Sequence, residues 1–226
     1  MAEHLAGDPV TRRRQPVRIQ STVTDEWREY PEWPPSSAEV VRYLEPSGQL
    51  TTQQAPEGAS SFTYDPAHPT PTVAGPINGR DAGVRDNRDL EARPDVLTFT
   101  TAALPNAWEI IGTPVVELDH STSNPHADVF VRLCDVDTKG RSHNFTETFL
   151  RLDAAEQGGR LRLRLHPCAH RLAAGHRLRL QVSGGSFPQY TRNEGTGAPP
   201  GTGTELRPCR HTIHHGNSRL ILPISA

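Results

Sequence analysis

Long apolar runs are missing from this 226-residue chain. Only 34% of its residues are hydrophobic and mean hydropathy is −0.60. No stretch approaches the roughly 20 residues needed to span a bilayer, and no apolar segment follows Met1, so neither a membrane span nor a signal peptide is read. Cysteine is scarce too. Cys134, Cys168 and Cys209 cannot all pair, which argues against a disulfide framework and makes the cytoplasm the default compartment. Lys139 is the single lysine, and the formal net charge is −2. Such a protein has no global field to draw nucleic acid or an acidic membrane, and Arg12–Arg14 is too short a basic run to change that.

Turn formers are abundant, with 21 prolines and 18 glycines. They predict many turns between short strands rather than long helices. The clearest pattern is Arg160-Leu161-Arg162-Leu163-Arg164-Leu165, which alternates strictly and so places three leucines on one face of a strand. Arg177-Leu178-Arg179-Leu180-Gln181-Val182 repeats it. Each buried leucine contributes roughly 1.5–3 kcal/mol, and a slip of one residue would bury arginines instead. The arginine faces are expected to be solvated.

Further strands are expected at Val17–Ile19, Val40–Leu44, Ser60–Tyr64, Val96–Thr100, Trp108–Leu118, Ala127–Leu133 and His143–Leu152, with Cys134 buried in the core. Trp27, Trp33, Pro31, Pro34 and Pro35 suggest a loop anchored by buried aromatics. Residues 65–95 and 184–208 read as long connections, of a kind that packs over a sheet or lines a site. Pro167 suggests a loop at that point. Arg210–His215, a Gly216-Asn217 turn and Ser218–Ile224 suggest a terminal hairpin. About ten strands without a helical stretch predict an all-β jelly-roll sandwich and no α/β-hydrolase domain.

Catalytic signals are weak. Gly184-Gly185-Ser186-Phe187-Pro188 is the nearest approach to a G-x-S-x-G elbow, but Pro188 stands where glycine is needed and no helix pattern follows. Ser186 is therefore read as structural and no catalytic residue is assigned. Cys168-Ala-His170 and Cys209-Arg-His211 could converge on a tetrahedral zinc if strands brought them together. Their spacing matches no standard signature, so no metal or cofactor is expected. Neither a phosphate-cradling loop nor EF-hand spacing is found; Asp135-Val-Asp137 lacks the glutamate of the twelfth position. Phe187, Tyr190, Arg192 and Asn193 could line a binding pocket. The simpler reading is that the aromatics pin the loop and Asn193 satisfies turn groups.

The segment from Gly175-His176-Arg177-Leu178 through Phe187-Pro188-Gln189-Tyr190 to Arg192-Asn193-Glu194-Gly195-Thr196-Gly197 resembles the C-terminal domain of the Xaa-Pro dipeptidyl-peptidase and cocaine-esterase (CocE/NonD) serine hydrolases. Asp95–Thr101, Gly112–Leu118, Asp128–Val136, the closing Leu220–Ile224, and Trp27-Arg28 with Trp33-Pro34-Pro35 are similar to further family segments, and His4–Gly7 looks like the end of its last hydrolase-domain helix. The resemblance implies a galactose-binding-domain-like jelly-roll over 36–226, preceded by a linker over 1–35 from a hydrolase domain. It implies an accessory role, packing on an α/β-hydrolase catalytic domain or a separately encoded catalytic subunit and helping wall its pocket, with ester or X-Pro amide hydrolysis as the activity of the whole. The family's triad maps onto no position of this sequence, which is expected to be inactive alone. Self-association through a bared apolar patch is a corollary. The alternatives are a stand-alone jelly-roll module that binds carbohydrate or peptide and, less favoured, a zinc-dependent enzyme.

Overall fold

The computed structural model describes residues 15–225 except 25, 80, 81, 153–157 and 200. The helix end expected at His4–Gly7 and the basic run Arg12–Arg14 lie outside the described residues. Strands dominate, as the alternating patterns predict. The first two, β1 (Val17–Gln20) and β2 (Trp27–Tyr30), pair with each other in a small antiparallel sheet of their own. The main body contains β3 (Ala38–Leu44), β4 (Gln49–Thr51), β5 (Ala59–Tyr64), a one-turn helix α1 (Arg88–Glu91), β6 (Val96–Thr101), β7 (Trp108–Gly112), β8 (Val115–Thr122) and β9 (Asp128–Val136). It continues with β10 (Ser142–Arg151), β11 (Gly158–Arg164), β12 (Cys168–Leu172), β13 (Arg177–Ser183) and β14 (Cys209–Ser225).

One face of the body is the run β10-β9-β13-β6. Short β4 carries it onward, pairing parallel with β6 and antiparallel with β3. The other face is organised by β14, which is flanked by β5 and β3 on one edge and by β8 and β7 on the other. Strands β11 and β12 extend it from β8 and β7. The result is a strongly curved, nearly closed sandwich whose inner faces meet in one core.

The strict alternation lands as expected. Leu161, Leu163 and Leu165 are buried while Arg160, Arg162 and Arg164 are exposed. Leu178, Leu180 and Val182 of β13 pack inward with Val129, Val131 and Leu133 of β9, Phe99 of β6, Val116 and Leu118 of β8, and Leu220 and Leu222 of β14. Cys134 is buried on β9, though on the opposite face from Leu133.

Three expectations are corrected. The C-terminal stretch is one bent strand, not a hairpin: residues 211–214 and 219–221 both pair antiparallel with β8, so the backbone never reverses. Between them β14 holds extra residues in an irregularity. Ser218 Oγ bridges it, donating to the His214 carbonyl at 2.6 Å and accepting from the Asp119 amide at 3.0 Å. Pro167 lies, as expected, in the short connection between β11 and β12, and β12 begins directly after it at Cys168.

Trp27 and Trp33 are largely exposed; Pro35 is the buried residue of that loop, Pro34 packs near Gly112, and the Arg18 guanidinium lies over Trp27 at 4.9 Å. Finally, the polar faces are not simply solvated. Arg160, Arg162 and Arg219 converge on Glu117, and the outer face of β13 is covered, with Arg179 and Gln181 both bonded to Glu91 of α1.

Candidate functional site

The 65–95 connection lies over the outer face of β9, β10 and β13, and polar chemistry holds it there. Arg132 on β9 is fully buried. It pairs with Glu147 of β10 at 2.7 Å and donates to the Val73 carbonyl and to Asn87 Oδ1. Glu147 also accepts from Gln189, so one buried ion pair ties both long loops to the sheet. The ends of residues 75–83 are clamped by two reciprocal backbone hydrogen bonds of 3.0 Å between Gly75 and Gly83. Gly75 has φ +101°, and a Cβ there would meet the Glu147 carboxylate at 2.9 Å, so glycine alone fits.

Beside this clamp opens a cleft of about 870 Å³. Its walls come from the β1–β2 connection (Thr22, Val23), the 75–86 stretch, β10 and the segments flanking β12. Val23 and Val84 are both 55% exposed at its rim, an unusual exposure for large aliphatic side chains. At the floor, Asp135 accepts from His176 Nδ1 at 2.7 Å and from His170 Nε2 at 3.2 Å. Burial pushes the Asp135 carboxyl up, but the two imidazoles outweigh it and hold the group below its ordinary value.

With Nε2–H directed at Asp135, His170 presents Nδ1 as an acceptor, and Thr22 Oγ1 donates to it at 2.6 Å. The His170 ring is stacked on Phe145 at 4.1 Å. Hydroxyl, imidazole and carboxylate thus follow the order of a hydrolase triad. The Thr22 amide, however, is bonded to the Ala169 carbonyl, and Thr22 lies on a turn without the elbow that would aim amides at an oxyanion. What the arrangement does is tether the β1–β2 unit to β12.

Ser186 is buried; its hydroxyl meets Thr72 Oγ1 at 3.0 Å and Gln189 Oε1 at 3.4 Å, with no histidine at hand. The two C-x-H pairs stay apart. Cys168 sits opposite Gly112 on β7, a strand that meets β14 only at Ile224 and Ser225, whereas Cys209 and His211 begin β14. His211 instead faces His120 at 3.1 Å and stacks on Phe62. Among the described residues no group of three or more His, Cys, Asp or Glu side chains is placed to hold a metal.

The four loop residues singled out as binding candidates have distinct environments. Tyr190 stacks on Phe149 at 4.2 Å. Asn193 donates to Asp128, itself paired with Arg151, and accepts from the Gly195 amide. Arg192 donates to the Pro66 carbonyl, and Phe187 is 40% exposed. None of the four lines the large cleft. Sequence reasoning missed the cleft because Thr22, Val84, Asp135 and His176 share no linear spacing; only the pairing of β9, β10 and β13 with two covering loops brings them together. The long aperiodic 65–95 segment was the one signal available.

A family model described as the X-Pro dipeptidyl-peptidase C-terminal non-catalytic domain matches residues 10–220. The chain belongs to this family. This X-Pro dipeptidyl-peptidase C-terminal domain is 31% identical to the cocaine esterase of Rhodococcus sp. (strain MB1 Bresler), over 98% of the chain and 44% of the esterase. It is 25% identical to a putative serine esterase of Mycobacterium bovis, over 92% of the chain and 37% of that protein. The chain thus spans under half the length of the curated relatives it matches.

Among solved structures it superposes on an α-amino acid ester hydrolase with a TM-score of 0.82 and 26% identity, covering 93% of the chain and 41% of that enzyme. An aminopeptidase from the marine sediment archaeon Thaumarchaeota archaeon shares the fold with a TM-score of 0.86 at 23% identity, over 100% and 43% of the two chains. No helix among the described residues is long and apolar enough to cross a membrane.

Proposed function

We propose that this domain packs on an α/β-hydrolase catalytic domain through its cleft face and helps wall the substrate pocket of a serine ester or X-Pro amide hydrolase. The observation that carries the reading is the cleft itself. Its volume falls within the range of about 300–1,000 Å³ usual for ligand pockets, and Val23 and Val84 stand bare at its rim where a partner would cover them. The relatives support it, since an esterase and an ester hydrolase each contain more than twice this length of polypeptide. The β1–β2 unit, held by Thr22 and by Arg28–Glu109, brings the start of the described residues to the same side.

Phe187, Tyr190, Arg192 and Asn193 form a second contact region in this reading. Tyr190 and Asn193 hold the loop, Arg192 ties it to the Pro66 carbonyl, and Phe187 is offered outward. Three unpaired buried thiols fit a reducing, cytoplasmic setting.

A domain exchange tests the docking. The corresponding domain of the Rhodococcus cocaine esterase is replaced by this one, and ester hydrolysis is measured. The chimera is expected to be active, and Val23→Asp with Val84→Asp to abolish that activity while leaving the protein folded. A chimera indifferent to both charges would refute the cleft as the docking face.

A further inference from the structure

We propose that Asn78 is a site of spontaneous, succinimide-mediated deamidation, which places a new carboxylate on the loop at the cleft. Seven asparagines occur in the sequence, at 78, 87, 106, 124, 144, 193 and 217, and only Asn78 precedes a glycine. The reaction begins when the backbone nitrogen of the following residue attacks the carbonyl carbon of the asparagine amide. A Cβ on that residue obstructs the approach, and Gly79 has none. Gly79 takes φ +124°, and a Cβ built on it would meet nothing within 4 Å, so the surroundings are open. Both residues are exposed.

Among the described residues nothing is hydrogen-bonded to the Asn78 amide, whereas most other asparagine amides are engaged. Asn87 and Asn144 are buried and hydrogen-bonded through both amide atoms. Asn124 and Asn193 are held likewise, and Asn217 donates to Asp119. Asn106 is exposed but precedes alanine, which makes it an internal control.

The chemistry needs only water. Gly79 N forms a bond to Asn78 Cγ, the bond from Cγ to Nδ2 breaks, and ammonia leaves with the proton from the Gly79 nitrogen. Water then opens the ring imide at either carbonyl, giving aspartate or isoaspartate. Either product takes the formal charge from −2 to −3. Isoaspartate also adds a methylene to the backbone between Gly75 and Gly83, whose reciprocal hydrogen bonds hold the loop ends fixed. Its effect on a docked partner rests on the proposed function; the modification itself does not.

The test is peptide mass mapping of the folded protein aged in mildly alkaline buffer, with isoaspartate read by an isoaspartyl methyltransferase. Conversion at Asn78 is expected to outrun Asn106 many-fold, to rise with hydroxide concentration, and to proceed at a rate close to that in the urea-unfolded protein. Asn87 and Asn144 should convert only after unfolding. Gly79→Ala should slow conversion many-fold in the urea-unfolded protein, where the strain that φ +124° imposes on alanine is absent. An Asn78 that survives in the folded protein while converting in urea, or that converts no faster than Asn106, overturns the proposal. So does a rate in urea unaffected by Gly79→Ala.

Discussion

Acid should weaken this domain steeply before its carboxylates protonate, because two neutral histidines are sealed in its core. His120 on β8 and His211 on β14 are 1% and 0% exposed and share one hydrogen bond of 3.1 Å. One ring donates and the other accepts, which leaves His120 Nδ1 and His211 Nε2 buried without partners. A second proton on either ring would be a charge with no counter-ion. Burial accordingly pushes His120 down to about 4, with the His214 charge adding to it, and pushes His211 down to about 3, with His120 adding to it.

In the unfolded state both return to about 6.5. Below that pH the unfolded state binds protons the native state refuses, so stability falls as pH falls, until the native values are reached. Each group contributes a slope of about 1.4 kcal/mol per pH unit, or about 2 kcal/mol between pH 6.5 and 5. The pair removes about 4 kcal/mol, a large share of the roughly 5–15 kcal/mol that holds a domain together. The assay is urea denaturation at steps between pH 7.5 and 5, a window above the ordinary carboxylate range. His211→Leu should remove about half of the slope; comparison with the parent protein at each pH cancels the other titrating groups. A denaturation midpoint that stays level from pH 7 to 5, or a slope untouched by the substitution, would refute the reasoning.

Two further outcomes test the packing. Glu147→Gln leaves the buried Arg132 guanidinium without its counter-charge and should cost about 3–5 kcal/mol by chemical denaturation, with the loops over β9 and β10 losing amide-exchange protection first. Gly184→Ala drives a Cβ to 2.6 Å from Tyr64 Cβ, which belongs to β5 and cannot swing aside, so a loss of about 1–3 kcal/mol in stability is expected from a thermal melt at pH 7.5.

The inward faces were legible in the sequence because a period of two over Leu161–Leu165 and Leu178–Val182 admits one register. The exposed tryptophans and the bent β14 were not. Trp27 and Trp33 carry no periodic signal, and Gly216-Asn217 looks the same in a turn as in a bulge. The faces opposite the core were equally opaque. Whether Arg179 meets water or Glu91 depends on where a thirty-residue connection comes to rest, and Arg160 and Arg162 depend on Glu117 from another strand. The cleft inherits that difficulty, since Thr22, Asp135, His170 and His176 lie on four separate segments. Ser186 was the reverse case: one proline in its motif excluded the elbow, and the structure shows a buried hydroxyl with no histidine beside it.

The central claim is that hydroxyl groups in this domain hold structure and do no acyl chemistry. Intact-mass analysis after exposure of the purified protein to a fluorophosphonate, together with ester turnover, tests it most directly. The account predicts no stoichiometric adduct and no turnover above buffer. A single adduct mapped to Thr22, Ser60 or Ser121, whose hydroxyls meet His170, His215 and His214, and lost when that histidine is replaced, or one mapped to Ser186 and lost on unfolding, would contradict it.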